Sequence, residues 1–181
     1  LLLGVEHARI VPGFTAASPL DLHDYPWSHG LAPDLGWALL AAALFWLLRR
    51  DRRGAAAVGL AVLSHWALDV LSHAPDVPLW PGGGARLGLG LWRSVPLTVA
   101  VEGGLWLAAV ALYARRARAR DRIGRWGLLG FTAAMTALYA ASLGGPPPPD
   151  VRTLAFANLA LVPFLAWPAW FDAHRDAARA P

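Results

Sequence analysis

The stretch GAAAVGLAVLSHWALDVLSH, residues 54–73, is apolar over a length that crosses a bilayer, yet it carries His65, Asp69 and His73. At about 100° per residue, Asp69 lies about 40° and His73 about 80° around a helix from His65, with Ser72 between them. All of them can therefore face one site. Ionisable groups at membrane depth are costly, and where they occur they mark sites and pathways.

Outward from that stretch, the apolar residues keep coming in long blocks. Hydrophobic residues make up 56% of the 181-residue chain, and its mean hydropathy is +0.42. A span needs about 20 mostly apolar residues. Five segments qualify, at about 30–48, 54–73, 95–114, 124–143 and 151–171. The chain begins with Leu rather than Met, and residues 1–5 read as the end of a sixth span. The expected class is an all-α polytopic membrane bundle forming one integral domain, with no separate soluble module.

The formal charge is +4 and the pI about 10.6. In a soluble protein such a balance would raise nucleic acid as a partner, but the placement of the arginines argues otherwise. Most fall in two short connections, residues 49–53 and 115–125, which two spans separate and which therefore share one side. The positive-inside tendency makes that side cytoplasmic, and the C-terminal tail with His174, Arg175 and Arg179 falls there too. The remaining connections, residues 6–29, 74–94 and 144–150, then lie outside. The absence of cysteine excludes disulfides, thiolate metal sites and cysteine nucleophiles, so any metal must be held by nitrogen and oxygen.

Among the outer segments, EHARIVPGFTAASPLDLHDYPWSHGL at residues 6–31 is the densest in potential chemistry, with Glu6, His7, Asp21, His23, Asp24 and His29. Pro26 suits a helix start, which puts His29 near the outer surface, and Pro75 ends the helix that carries His73. That leaves His73 and Asp76 at the same surface. The Gly- and Leu-rich loop at 79–92 reads either as a lid or as an irregular loop packed on the helix ends. Trp27, Trp80, Trp92, Trp126 and Trp170 fall near span ends, where aromatic belts form. Glu102, in SVPLTVAVEGGLWLAAVALYA at 94–114, falls roughly 12 Å below the outer boundary, about as deep as His65.

Each group also has a plainer reading. His65 can be a core histidine that donates to a carbonyl, and Asp69 an acceptor that orients it. Glu102 can be a protonated carboxyl bonded across helices, and Asp34 a ligand or only a helix-terminal charge. His73 and Asp76 can simply be solvated, as can Glu6, His7 and His23. What favours a site is convergence, because His29, His65, Asp69, His73 and Glu102 come from three spans and project into one half of the bilayer. The candidate metal ligands are His29, His65, Asp69 and His73, with Asp21, His23, Asp24 and Asp76 as further candidates. Glu102 or Asp69 is the candidate general base. Mixed nitrogen and oxygen ligation suits zinc, and manganese or iron as well.

YPWSHGL at 25–31 followed by LSHWALDVLSHAPDVPL at 63–79 resembles the bacterial membrane-bound, metal-dependent hydrolase-like proteins. The resemblance covers roughly residues 20–80. It matches Ser28 and His29 to the family's Ser-His motif at a span start, and His65 and Asp69 to its His-x-x-x-Asp motif inside the next span. Members also carry an early histidine and an aspartate-rich turn, for which Asp21, His23 and Asp24 are a loose counterpart. The resemblance implies a divalent metal, hydrolysis, and a place in the bacterial inner membrane. A high Ala, Arg, Gly and Pro content fits a GC-rich bacterial genome.

Three functions follow as expectations. The first is a membrane-embedded metal-dependent hydrolase that acts on a lipid or membrane-bound substrate. The second is a non-catalytic subunit of a larger membrane complex, contacting protein or pigment. The third is a transporter or ion pathway. Membrane lipids and other membrane subunits are the expected partners.

Overall fold

The computed structural model describes residues 1–178, apart from the side chain of residue 163; Arg179, placed with the cytoplasmic tail above, lies outside them. The described residues contain seven α-helices and three short two-stranded antiparallel pairs. Four helices are long and apolar enough to cross a membrane: α2 (Leu31–Arg49), α3 (Arg52–Ser72), α4 (Val95–Arg116) and α5 (Arg122–Gly144). Between 6% and 11% of each apolar window is buried within the chain. An amphipathic helix of a water-soluble domain buries an apolar stripe, whereas these helices are apolar all round and outward-facing, as spans are.

The chain divides into two compact units, residues 1–95 and 96–181. In the first, strands β1 (His7–Ile10) and β2 (Leu20–Asp24) pair with His7 opposite Asp24 and Arg9 opposite Asp21. The short helix α1 (Pro26–His29) follows, with Pro26 in its first turn. Helices α2 and α3 then form a hairpin joined by two residues. Arg50 takes the left-handed conformation (φ 56°) that closes α2, its N–H bonding to the Trp46 carbonyl. The Asp51 carboxylate accepts from the Arg53 N–H and opens α3. The hairpin closes tightly on small residues. A Cβ at Gly59 would stand 3.2 Å from the Ala42 Cβ and 3.3 Å from the Ala38 carbonyl oxygen.

Helix α3 ends at His73, as Pro75 requires. Its terminal carbonyls, which have no partner within a helix, are taken up by the returning loop. Leu89 N–H donates to Val70 and Gly90 N–H to His73, both at 2.7 Å. Gly88 permits that approach, since a Cβ there would meet the Ala74 carbonyl oxygen at 2.0 Å. The loop at 79–92 is thus packed on the helix end, pinned by strands β3 (Val77–Pro78) and β4 (Arg86–Leu87).

In the second unit, β5 (Ala117–Ala119) joins α4 to α5 and pairs with β6 (Arg175–Ala177). Between α5 and β6 the chain departs from expectation. Residues 151–171 do not form one span: α6 (Val151–Ala160) gives way to a 3₁₀ turn at Val162–Leu165 and then to α7 (Ala166–Asp172). Pro163 and Pro168 lack the N–H that a continuous helix needs, and apolar composition cannot compensate for the missing bonds. Helix α7 instead folds back on α5, where a Cβ on Gly127 would stand 2.5 Å from the Phe171 Cβ. Residues 1–5 form turns and bends rather than the end of a helix. Where five complete spans and the end of a sixth were expected, four helices among the described residues are long and apolar enough to cross a membrane, and three small strand pairs accompany them.

Candidate metal centre

The site is built at the end of the first hairpin where α1, the start of α2 and the last two turns of α3 come together. Helix α3 presents His65 and Asp69 one turn apart, and α1 ends in His29 beside them. One ring nitrogen each of His29 and His65 and one Asp69 oxygen lie within 4.8 Å of one another. Measured to Asp69 Oδ2, His65 Nε2 is at 3.2 Å and His29 Nε2 at 3.8 Å. On the other carboxylate oxygen, His73 Nε2 approaches Oδ1 to 3.7 Å. The sequence stripe is thus one cluster around one carboxylate. The side chains of Asp69 and His73 are 13% and 5% exposed, whereas His65 is 49% exposed and forms the open flank.

Outer groups engage the Nδ1 atoms of two of these imidazoles. Glu6 Oε1 accepts from the backbone N–H groups of Trp27 and Ser28 at 2.9 and 2.7 Å. The Ser28 hydroxyl, with a single hydrogen, donates it to the same carboxylate. Ser28 Oγ is then left to accept from His29 Nδ1, 2.7 Å away. His29 therefore carries its proton on Nδ1 and turns the lone pair of Nε2 toward Asp69. His73 repeats the arrangement, with Nδ1 at 3.2 Å from the Asp76 carboxylate and Nε2 toward Asp69. Burial, reinforced by the nearby His65 and His73, holds His29 down to about 4, so it is neutral at pH 7. Burial and Glu6 push the Tyr25 phenol up to about 12, and its ring stands edge-on to His29 with centroids 4.9 Å apart.

Lone pairs aimed at a carboxylate repel it unless a positive charge stands between. Asp69 Oδ2 is buried and has no hydrogen-bond partner, because the 3.2 Å approach of His65 falls short of hydrogen-bond geometry. Around a tetrahedral zinc with bonds of about 2.0–2.1 Å, ligand atoms sit about 3.4 Å apart. His65 Nε2, at 3.2 Å from Asp69 Oδ2, already meets that spacing, and His29 Nε2, at 3.8 Å, lies a few tenths of an ångström beyond it. The donor set, the imidazoles of His29 and His65 and the carboxylate of Asp69, with Ser28 holding the His29 Nδ1 as a donor, could hold a divalent cation.

The other predicted residues divide. Asp76 holds His73. Asp21 pairs with Arg9 at 3.4 Å and Asp24 with His7 at 3.1 Å, so both serve the β1–β2 hairpin. His23 has a buried Nδ1 without a hydrogen-bond partner, and its carbonyl accepts from Arg86. Glu102 belongs to the second unit, where it lines a cavity of about 490 Å³ with Trp106, Met135 and Tyr139. Two groups matter more than their sequence context indicated. Glu6 orients His29 from 23 residues away along the chain, a link visible only once the hairpin forms. Asp34 is 3% exposed with an unpartnered Oδ2, within electrostatic reach of His65 and Asp69. Trp92, expected in an aromatic belt, lies against His73 at a centroid distance of 4.4 Å.

The chain matches no protein-family model, no curated protein and no solved structure. What fold and site define is a class: a helical protein with four helices able to cross a membrane and a His/His/Asp cluster at the end of one hairpin.

Proposed function

We propose that the His29–His65–Asp69 cluster holds a divalent metal ion, zinc or else manganese or iron, and that the protein is a membrane-embedded metal-dependent hydrolase acting on a lipid or another membrane-bound substrate. The observation that carries this reading is the buried Asp69 Oδ2, unpartnered among imidazole nitrogens of which one, on His29, is fixed as a lone-pair donor. Bound there, a divalent ion supplies Lewis acidity that brings the pKa of water down toward neutrality. Asp76 holds His73 beside Asp69 Oδ1, and Glu6 and Ser28 hold His29. Buried Asp34 joins Asp69 as a candidate to accept the proton of the attacking water. His65, half exposed, leaves the side on which a substrate approaches. The arginines at 49–53 lie at the other end of the α2–α3 hairpin, and the positive-inside tendency then favours the outer face of the inner membrane for the cluster.

The test is metal content after purification in detergent and loading with Zn²⁺, Mn²⁺ or Fe²⁺. About one equivalent is expected for the native chain, and its loss in His65→Ala and Asp69→Asn, together with any lipid hydrolysis that chelation abolishes. A native chain that takes up none of the three ions, or variants that bind as well as it does, would overturn the reading.

A further inference from the structure

We infer that the surface beside α1 docks a zwitterionic phospholipid, with its chain against Trp27, Trp37 and Trp80 and its phosphate and ammonium between Arg86 and Asp24. The inference gives the proposed metal centre its substrate class and rests on that reading for its catalytic meaning, though not for the docking itself.

Two pockets flank α1 and share Trp80. One is an open apolar pocket of about 490 Å³, walled by Trp27, Pro33, Trp37, Leu40 and Trp80. Its three indoles are 52%, 54% and 67% exposed, and Trp37 Nε1 donates to the Trp27 carbonyl at 3.1 Å, which braces the two rings. From the start of α2 to Leu40 the pocket descends about 13 Å, close to the depth of one leaflet in a hydrocarbon core of about 30 Å. Indoles at the top of such a descent match the level at which Trp favours the membrane interface.

The second pocket, about 220 Å³, is polar and lined by Asp24, Tyr25, Arg86 and the backbone of Gly82 and Gly83. Those glycines, at φ 92° and 130°, would meet nothing within 4 Å if they carried a Cβ, so that wall is bare main chain facing open space. Arg86 Nη1 donates to the carbonyls of His23 (3.1 Å) and Asp76 (3.4 Å), which fixes the guanidinium at the pocket. Among the described residues no carboxylate forms an ion pair with it. Arg86 and Asp24, whose half-exposed carboxylate meets His7 through Oδ2, offer opposite charges in one small polar pocket, a match for a headgroup bearing both phosphate and ammonium, and a fixed guanidinium suits phosphate. Tyr25 forms a wall of this pocket and contacts His29, so a headgroup seated there is one ring away from the cluster.

The test titrates the purified protein with dioleoyl phosphatidylethanolamine, dioleoyl phosphatidylglycerol and dioleoylglycerol, with retention read by native mass spectrometry. Phosphatidylethanolamine should be retained about tenfold over dioleoylglycerol and ahead of phosphatidylglycerol. Arg86→Gln should remove the advantage over dioleoylglycerol, Arg86→Lys should keep part of it, and Asp24→Asn should remove the advantage over phosphatidylglycerol. Equal retention of dioleoylglycerol, equal retention of phosphatidylglycerol, or an unchanged Arg86→Gln protein would overturn the proposal. Repeating the titration on His65→Ala separates the two readings. Lipid preference that persists when metal is lost supports the docking independently, whereas a metal-binding native chain without lipid preference sinks the docking alone.

Discussion

Each unit of this protein holds a close contact between histidine and aspartate, and the two contacts differ in a way that separates a structural pair from a candidate site. In the second unit, His174 Nδ1 meets Asp121 Oδ2 at 2.6 Å, and the other Asp121 oxygen accepts from the Gly124 N–H at the start of α5. Donors and acceptors match one to one, and the pair closes the junction of α5 with β6. In the first unit, three Nε2 atoms surround Asp69, and Glu6 through Ser28, and Asp76 directly, commit two of the rings to donating elsewhere. There the hydrogen-bond donors run out while acceptors remain. The inventory of hydrogens, more than the presence of His and Asp together, distinguishes the two regions.

If that contrast is right, substitutions in the two regions have different signatures. The largest effect is expected for Asp69→Asn, which should weaken divalent-metal affinity by more than about 100-fold, beyond the 10–100-fold typical of outer partners. Competition against a chelating dye measures it, and an affinity within tenfold of the native chain would erase the distinction. Glu6→Gln should cost about 10–100-fold in the same assay, because it loosens the grip on His29 without removing a ligand. Glu6→Asp should recover part of the loss, and an effect as large as that of Asp69→Asn would mean that Glu6 supports the fold rather than the ring.

The second unit should answer in stability instead. Gly127→Leu forces a side chain into the Phe171 ring and should destabilise the unit by about 1–3 kcal/mol, read as a lower thermal midpoint in detergent, with metal affinity unchanged. The smallest effect concerns Asp121. The Gly124 N–H bond, followed by the contact with His174, holds its carboxyl below the ordinary value. A lowered carboxylate stabilises the fold above its unfolded pKa of about 3.9, and the contribution fades as pH falls through the folded value. Asp121→Asn should therefore melt below the native chain at pH 6 and converge with it toward the acid end of the range. A gap that stays constant with pH would show that the charge plays no part.

Much of the architecture was legible in the sequence because membrane-length helices announce themselves by composition. The spans expected at 30–48, 54–73, 95–114 and 124–143 fall within about two residues of α2, α3, α4 and α5. The segment at 151–171 misled because hydropathy counts apolar side chains and is blind to the N–H groups that Pro163 and Pro168 lack. The convergence of His29, His65, Asp69 and His73 was legible from helical spacing and from the prolines that end α3 and begin α1. Glu6 was not, since its reach to Ser28 depends on the register of β1 against β2, and HARI and LDLHD alternate too briefly to fix a register. Asp34 was ambiguous for a related reason: a carboxylate in the first turn of a helix is ordinarily explained by the helix dipole, and only its burial says otherwise.

The hydrogen bonds that Leu89 and Gly90 make to the last turn of α3 carry a consequence for traffic. With those carbonyls occupied and Trp92 lying on His73, the end of the helix is held against fraying. Of the imidazoles around Asp69, His65 is the one left open to a small molecule or ion, its side chain 49% exposed against 19% for His29 and 5% for His73.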